Sequence, residues 1–191
     1  MSRPTRLATQ AQTRARLLAA AHEIFRHDGY AAASVIRIAD AAGYSKGALY
    51  SNFDSKEAIF LAVLDAQGQQ GLDPLLAAIE GAAGTPAIVE LLVAWADERS
   101  RSGGWALTIL EHARLAGPGA TSLVQQQDIV RGHWRQLGRQ LRARLPLGSV
   151  DDETLGALLH EIAYAPALTF MPHPTAGAMM RLVLEGLLAR A

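Results

Sequence analysis

Apolar residues recur at spacings of three and four through nearly the whole chain, and no stretch alternates apolar with polar for long enough to make a strand. That period confines the chain to an all-α fold. Leu17, Leu18, Ala21, Ile24 and Phe25 form one stripe, which predicts an amphipathic helix over about 9–27, ended by Gly29. Ser34 is placed to cap a short helix carrying Val35, Ile38 and Ala39 that stops at Gly43. A second short helix is expected from Ser45 to near Ser51, and Ser55 caps a longer one with Ala58, Ile59, Ala62 and Val63 on its apolar face. Pro74 lacks an N–H and pushes Asp73 from helical angles, so that helix is expected to end or kink there. Further helices are predicted over 74–81, 86–100, 104–115, 121–145, 152–169 and 175–190, with Pro166 kinking or ending the one that holds it. The connections between them, SRSGG and AGPGA among them, are short enough for antiparallel neighbours.

Charge is balanced overall, 18 cationic against 18 anionic residues, but not evenly along the chain. Residues 1–60 hold eight Lys and Arg against five Asp and Glu, and the remaining 131 hold ten against thirteen. A basic first third on an acidic body points to an anionic partner for that third alone. No cysteine is present, which excludes disulfides and thiol chemistry and fits a cytoplasmic location. No run of about 18 uncharged apolar residues marks a membrane span, so no membrane partner is expected, and the N-terminus does not read as a signal peptide. Catalysis has no support. His22 and His27 are five apart, and Glu111-His112 and His160-Glu161 are adjacent pairs that face different ways on a helix. No phosphate loop or nucleophile motif appears, so no catalytic residue, metal or cofactor is expected.

The segment from Ser34 to Ser51 has the layout of a helix-turn-helix, with the turn at Ala42-Gly43-Tyr44 and Gly43 supplying a left-handed backbone. Leu49 is expected to face the preceding helix, which turns Lys46, Gly47, Ala48, Tyr50 and Asn52 outward. Both lysines of the chain, Lys46 and Lys56, fall around this segment; every other cation is arginine. From Thr13 to Leu64 the chain resembles the DNA-binding domain of the TetR family of bacterial transcriptional regulators. The resemblance rests on Phe25, Gly29-Tyr30, Ser34-Val35, Ile38-Ala39, Ala42-Gly43, Ser45-Lys46-Gly47, Leu49-Tyr50, Phe53 and Ser55-Lys56-Glu57-Ala58.

That resemblance implies DNA contacts from Ser34, Ser45, Lys46, Gly47, Ala48, Tyr50, Asn52 and Lys56. Lys46 would reach a guanine edge or a phosphate, and Lys56 with the N-terminus of its helix would clamp a phosphate. The family often has His where this chain has Asn52. The resemblance further implies a helix-turn-helix domain over 1–54, followed over 55–191 by a helical domain that binds a small effector and dimerises through its last two helices, about 152–190. Leu155, Leu158, Leu159 and Ile162 form one stripe for that dimer; Met179, Leu182, Val183, Gly186 and Leu187 form the other. Candidate effector contacts are Trp95, Trp105, His112, Trp134, Tyr164, Phe170 and Met171, aromatic or soft side chains with a few polar tips. Arg99 and Arg101 could meet an anionic effector but sit in or beside the predicted SRSGG loop. Gly68, Gly71 and Asp73-Pro74 mark where a signal-carrying helix would bend. The rival reading, a sequence-independent DNA-binding protein, fits poorly with zero net charge.

Overall fold

The computed structural model describes residues 6–101 and 104–189. Ser102 and Gly103 of the predicted SRSGG loop, and Arg190 of the predicted last helix, lie outside them. Among the described residues every regular element is an α-helix: α1 (Arg6–Ala32), α2 (Val35–Ala41), α3 (Lys46–Tyr50), α4 (Lys56–Gly81), α5 (Thr85–Arg101), α6 (Gly104–Ala116), α7 (Thr121–Arg142), α8 (Asp152–Thr169) and α9 (Ala176–Leu188). The periodicity located all of them.

Gly29 ends the first regular helix as expected, at φ 78° and ψ 174°, and a short helical stretch follows it to Ala32. Two expectations, both at prolines, are corrected. α4 does not end at Pro74, and 74–81 is its last part rather than a separate helix. Proline's fixed φ is helical, so the residue costs one hydrogen bond; the buried stripe of Leu72, Leu75 and Ile79 runs past it while Pro74 faces outward. α8 likewise continues through a buried Pro166 to Thr169, where Phe170 ends it in the left-handed region at φ 56°.

The chain packs as two units. The first comprises residues up to Ala66 together with Thr108–Gln126. The compact unit that holds the helix-turn-helix is therefore larger than 1–54. Its centre is aromatic. Phe25 meets Phe60 edge-on at 5.6 Å between ring centroids, Tyr30 meets Phe60 at 5.1 Å, and His112 stacks on Phe60 at 4.4 Å. Polar groups tie 108–112 to the end of α1. The Thr108 hydroxyl donates to the Phe25 carbonyl at 3.1 Å, and the Tyr30 N–H, freed by the break at Gly29, donates to the Glu111 carboxylate at 2.6 Å. His112 Nδ1 lies 2.5 Å from the Gln126 amide oxygen.

The second unit spans Gln67–Leu107 and the residues from Gln127 onward. Its core joins Ile79 of α4, Ile88 and Leu92 of α5, Leu137 and Leu141 of α7, Leu155 and Leu159 of α8, and Met180 and Leu184 of α9. Glycines set its helix contacts. A Cβ on Gly156 would lie 1.8 Å from the Trp134 carbonyl oxygen, and one on Gly138 would lie 1.9 Å from that of Asp152. α7 and α8 can touch backbone to backbone only because those two positions carry no side chain. α9 is held on α5 by the Gly177 N–H donating to Asp97 at 2.6 Å and by a two-pronged Arg181–Glu90 pair, both contacts at 2.6 Å. Gly68 and Gly71 also serve close approach: added Cβ atoms would sit 2.0 Å from the His133 ring and 2.9 Å from an Arg99 guanidinium nitrogen. α4 is continuous through both.

Candidate nucleic-acid interface

The turn between α2 and α3 closes as its residues require. Gly43 takes φ 77°, its N–H donates to the Asp40 carbonyl at 3.0 Å, and the Tyr44 N–H donates to that of Ala39 at 2.9 Å. Ser45 caps α3, accepting from the Ala48 N–H at 3.2 Å. Leu49 is fully buried and fixes the rotation of this short helix, so Lys46, Gly47 and Tyr50 stand exposed on its other side, with Ala48 half-buried. Lys46 makes no ion pair among the described residues; its ammonium lies 5.7 Å from the centre of the Tyr50 ring one turn away. Ser34 has the extended backbone of a cap, but its side chain makes no capping hydrogen bond.

Two predicted contacts are redirected. Asn52 is half-buried and uses both amide hydrogens internally, donating to the Ala48 carbonyl at 2.8 Å and the Ser51 hydroxyl at 3.3 Å. Its amide closes the C-terminal end of α3 and has no hydrogen left for a phosphate. Lys56 folds back: its ammonium donates to the Ala31 carbonyl at 3.1 Å and sits 4.6 Å over the Tyr30 ring. Burial there pushes its pKa down, against the pull of Glu57 and Glu111. It fastens the end of α1 rather than standing ready at the α4 N-terminus. Arg14, which sequence reasoning treated only as charge, donates to the Asn52 carbonyl at 2.9 Å and lies 4.2 Å over the Phe53 ring. The partner is 38 residues away, so spacing gave no sign of it. Arg37 pairs with Asp28 and Arg26 with Glu23, which leaves Lys46 the more available cation.

Residues 17–63 match the bacterial regulatory proteins of the tetR family. That segment of the chain is a DNA-binding domain of the tetR type. Over 71 residues it is 44% identical to the HTH-type transcriptional activator FasR of Mycolicibacterium smegmatis, 37% of this chain and 31% of that protein. Over 93 residues it is 37% identical to the HTH-type transcriptional regulator UidR of Escherichia coli K12, 48% of this chain and 47% of the relative. The matches thus span 31% and 47% of these curated relatives, less than half of each. Among solved structures, Salmonella enterica GusR superposes with a TM-score of 0.67 at 24% identity, over 93% of this chain and 95% of GusR. The Bacillus subtilis FadR complex with stearoyl-CoA superposes at 0.65 and 16% identity, over 93% and 98% of the two chains. These likenesses show that the helical body shares the fold of those two proteins.

Within that body the seven candidate effector residues separate. His112 belongs to the first unit and stacks there on Phe60. Phe170 and Met171 are exposed, 75% and 60%, and line an open cleft of about 580 Å³ with Asp97, Leu107 and Pro166. Trp95, Trp134 and Tyr164 are half-buried inside the second unit, and Trp105 is half-buried at the start of α6. Arg99 lies on α5 as the predicted helix over 86–100 requires and is half-buried, while α5 runs on to take in Arg101 of the predicted loop. Arg101 is exposed and pairs with Glu98 at 2.8 Å.

Proposed function

We propose that this chain is a ligand-responsive transcriptional regulator of the TetR family, a repressor that binds a two-fold-symmetric DNA operator as a dimer and is released by a small molecule. The observation that carries the reading is the exposed Lys46-Gly47-Tyr50 edge of α3, held outward by the burial of Leu49. A bare glycine lets DNA approach the backbone, the lysine reaches a base edge or a phosphate, and the tyrosine hydroxyl donates to the sugar-phosphate chain. Ser34, Ser45 and Ala48 border that edge. Lys56 and Asn52 support it from behind, holding α1 and α3 in place.

A two-fold operator requires two copies of α3 at a fixed spacing. The surface that best supplies the dimer contact is the outward side of α8 and α9. Leu182 is 73% exposed and Leu158 39%, Met179 is half-buried, and Gly186 has open space where a side chain would stand. Leu155 and Leu159, by contrast, are fully buried in the monomer core and belong to its interior. No helix among the described residues is long and apolar enough to cross a membrane, consistent with the cytoplasmic location proposed for a DNA-binding protein.

The test is binding to the DNA upstream of the chain's own gene against scrambled DNA at about 150 mM salt, where phosphate-only binding weakens. Lys46→Ala combined with Tyr50→Ala is expected to lower operator affinity by about 100-fold or more while the melting temperature holds. Equal binding to both DNAs would instead favour a sequence-independent binder. In a reporter assay, deletion of the gene is expected to raise expression from the bound promoter; a fall would make the protein an activator.

A further inference from the structure

The interior of the second unit contains buried hydrogen-bond donors that the protein does not use. Trp95 Nε1, Arg99 Nε and Trp134 Nε1 are all shielded from solvent with no hydrogen-bond partner. Such atoms are rare in a finished fold, because each has lost water and gained nothing in return. All three are donors only: an indole N–H and a guanidinium N–H cannot accept. Whatever satisfies them must bring acceptor atoms, and beside Arg99 it is favoured if it brings negative charge.

These groups lie along one continuous path of contacts. Trp95 and Arg99 are one turn apart on α5 and share a face. Arg99 lies against the Tyr164 hydroxyl of α8. The Tyr164 ring packs on His160 at 4.4 Å, and His160 meets Trp134 of α7 at 5.9 Å. His160 Nδ1 is also buried without a hydrogen bond, Glu161 being 3.7 Å away. α4 passes over the same place, its Gly71 backbone brought against the Arg99 guanidinium by the missing side chain. Four helices thus surround one cation and two indole donors with aromatic walls.

We infer that α4, α5, α7 and α8 enclose the site of a small monocarboxylic acid with an apolar or aromatic body. Arg99 is the counter-ion, and the indole N–H groups of Trp95 and Trp134 are the further donors. A guanidinium offers two parallel N–H groups from Nε and one terminal nitrogen, which matches the two oxygens of a planar carboxylate. The rings of Trp95, Trp134, His160 and Tyr164 take the apolar body. Ordered water is the competing occupant, and it would not distinguish an acid from its amide. The inference rests on the ligand-responsive reading above and names the chemistry of that ligand.

The experiment is calorimetric titration of the full chain with benzoate, phenylacetate and octanoate, each beside its primary amide, and with phenyl phosphate. At least one acid is expected to bind about 10-fold or more tightly than its amide, since only the acid pairs with the guanidinium. Arg99→Gln is expected to remove most of that difference. Trp134→Phe, which keeps a ring and deletes one donor, is expected to weaken the acid more than the amide, and it stands in if the Arg99 variant does not fold. Failure of every acid to bind at about 10 mM, equal binding of acid and amide, or tighter binding of phenyl phosphate would each overturn the inference. The same wild-type sample is tested on the operator. Operator binding with no acid binding defeats the carboxylate site alone, whereas acid binding with no operator binding defeats the regulator reading alone.

Discussion

The two units solve the problem of a helical interior in opposite ways. The first is filled by large rings, Phe25, Tyr30, Phe60 and His112 in mutual contact, and its polar groups largely answer one another across the chain. The His112 Nε2 atom is its one recorded orphan among the described residues. The second is drawn together by missing side chains, at Gly68, Gly71, Gly138, Gly156 and Gly177, and it keeps several donors unanswered. A ring-filled, satisfied interior makes a rigid platform for a short recognition helix. A glycine-spaced interior with idle donors is what the proposed carboxylate site requires.

The contrast can be broken most forcefully in the first unit. Phe60→Ala is expected to cost about 3–5 kcal/mol, because a fully buried ring with three aromatic neighbours leaves a cavity. Urea denaturation measures it, and a cost below about 1 kcal/mol would mean that the rings do not carry that interior. In the second unit, Gly156→Ala is expected to cost on the order of 3 kcal/mol, since the new methyl meets backbone at 1.8 Å and the helices must part. The paired glycines of α4 sharpen the same point. Gly68→Ala meets the ring of a buried His133 and is expected to cost about 1–3 kcal/mol, whereas at Gly71 the end of the Arg99 side chain can swing aside, so Gly71→Ala stays within about 1 kcal/mol of wild type. Equal effects at the two sites would refute the assignment of Gly68 to close packing.

The smallest expected effect is on pH and salt. Glu57, tied chiefly to its own backbone N–H and also to Tyr30, and Glu90, hydrogen-bonded by Arg181, both titrate below the ordinary carboxylate range. Their contribution is complete above that range and is lost as pH falls through the lowered folded values, so stability should decline below about pH 4.5. Salt should weaken the exposed Glu90–Arg181 pair and spare Glu57, which a salt series on Glu57→Gln and Glu90→Gln would resolve.

The helices were legible because capping residues and glycines mark their ends: Ser45, Ser55, Asp151 and Thr175 each accept the N–H that closes a first turn. Pro74 and Pro166 misled because a proline's local cost is visible in sequence and the buried stripe that outweighs it is not. The exposed edge of α3 was legible because one buried residue, Leu49, sets the rotation of that helix. Lys56 was not, since its partner, the Ala31 carbonyl, lies 25 residues back at an end of α1 that exists only beyond the break at Gly29. Arg99 fell inside the predicted helix, but its burial was not legible, because the Ser-Arg-Ser-Gly-Gly string that follows it reads as a solvent loop and the α8 residues it meets lie far along the chain.

The break at Gly29 gives the protein a built-in gauge. In an unbroken helix the Tyr30 amide would belong to its own helix and would carry no news of any other segment. Here its hydrogen points to a carboxylate 81 residues along the chain, at 2.6 Å. A proton so held resonates far downfield and exchanges slowly with deuterium for as long as Glu111 stays in place. One nuclear magnetic resonance line therefore records whether the 108–112 segment is seated against the end of α1, in a protein of any ligand state, without a probe being attached.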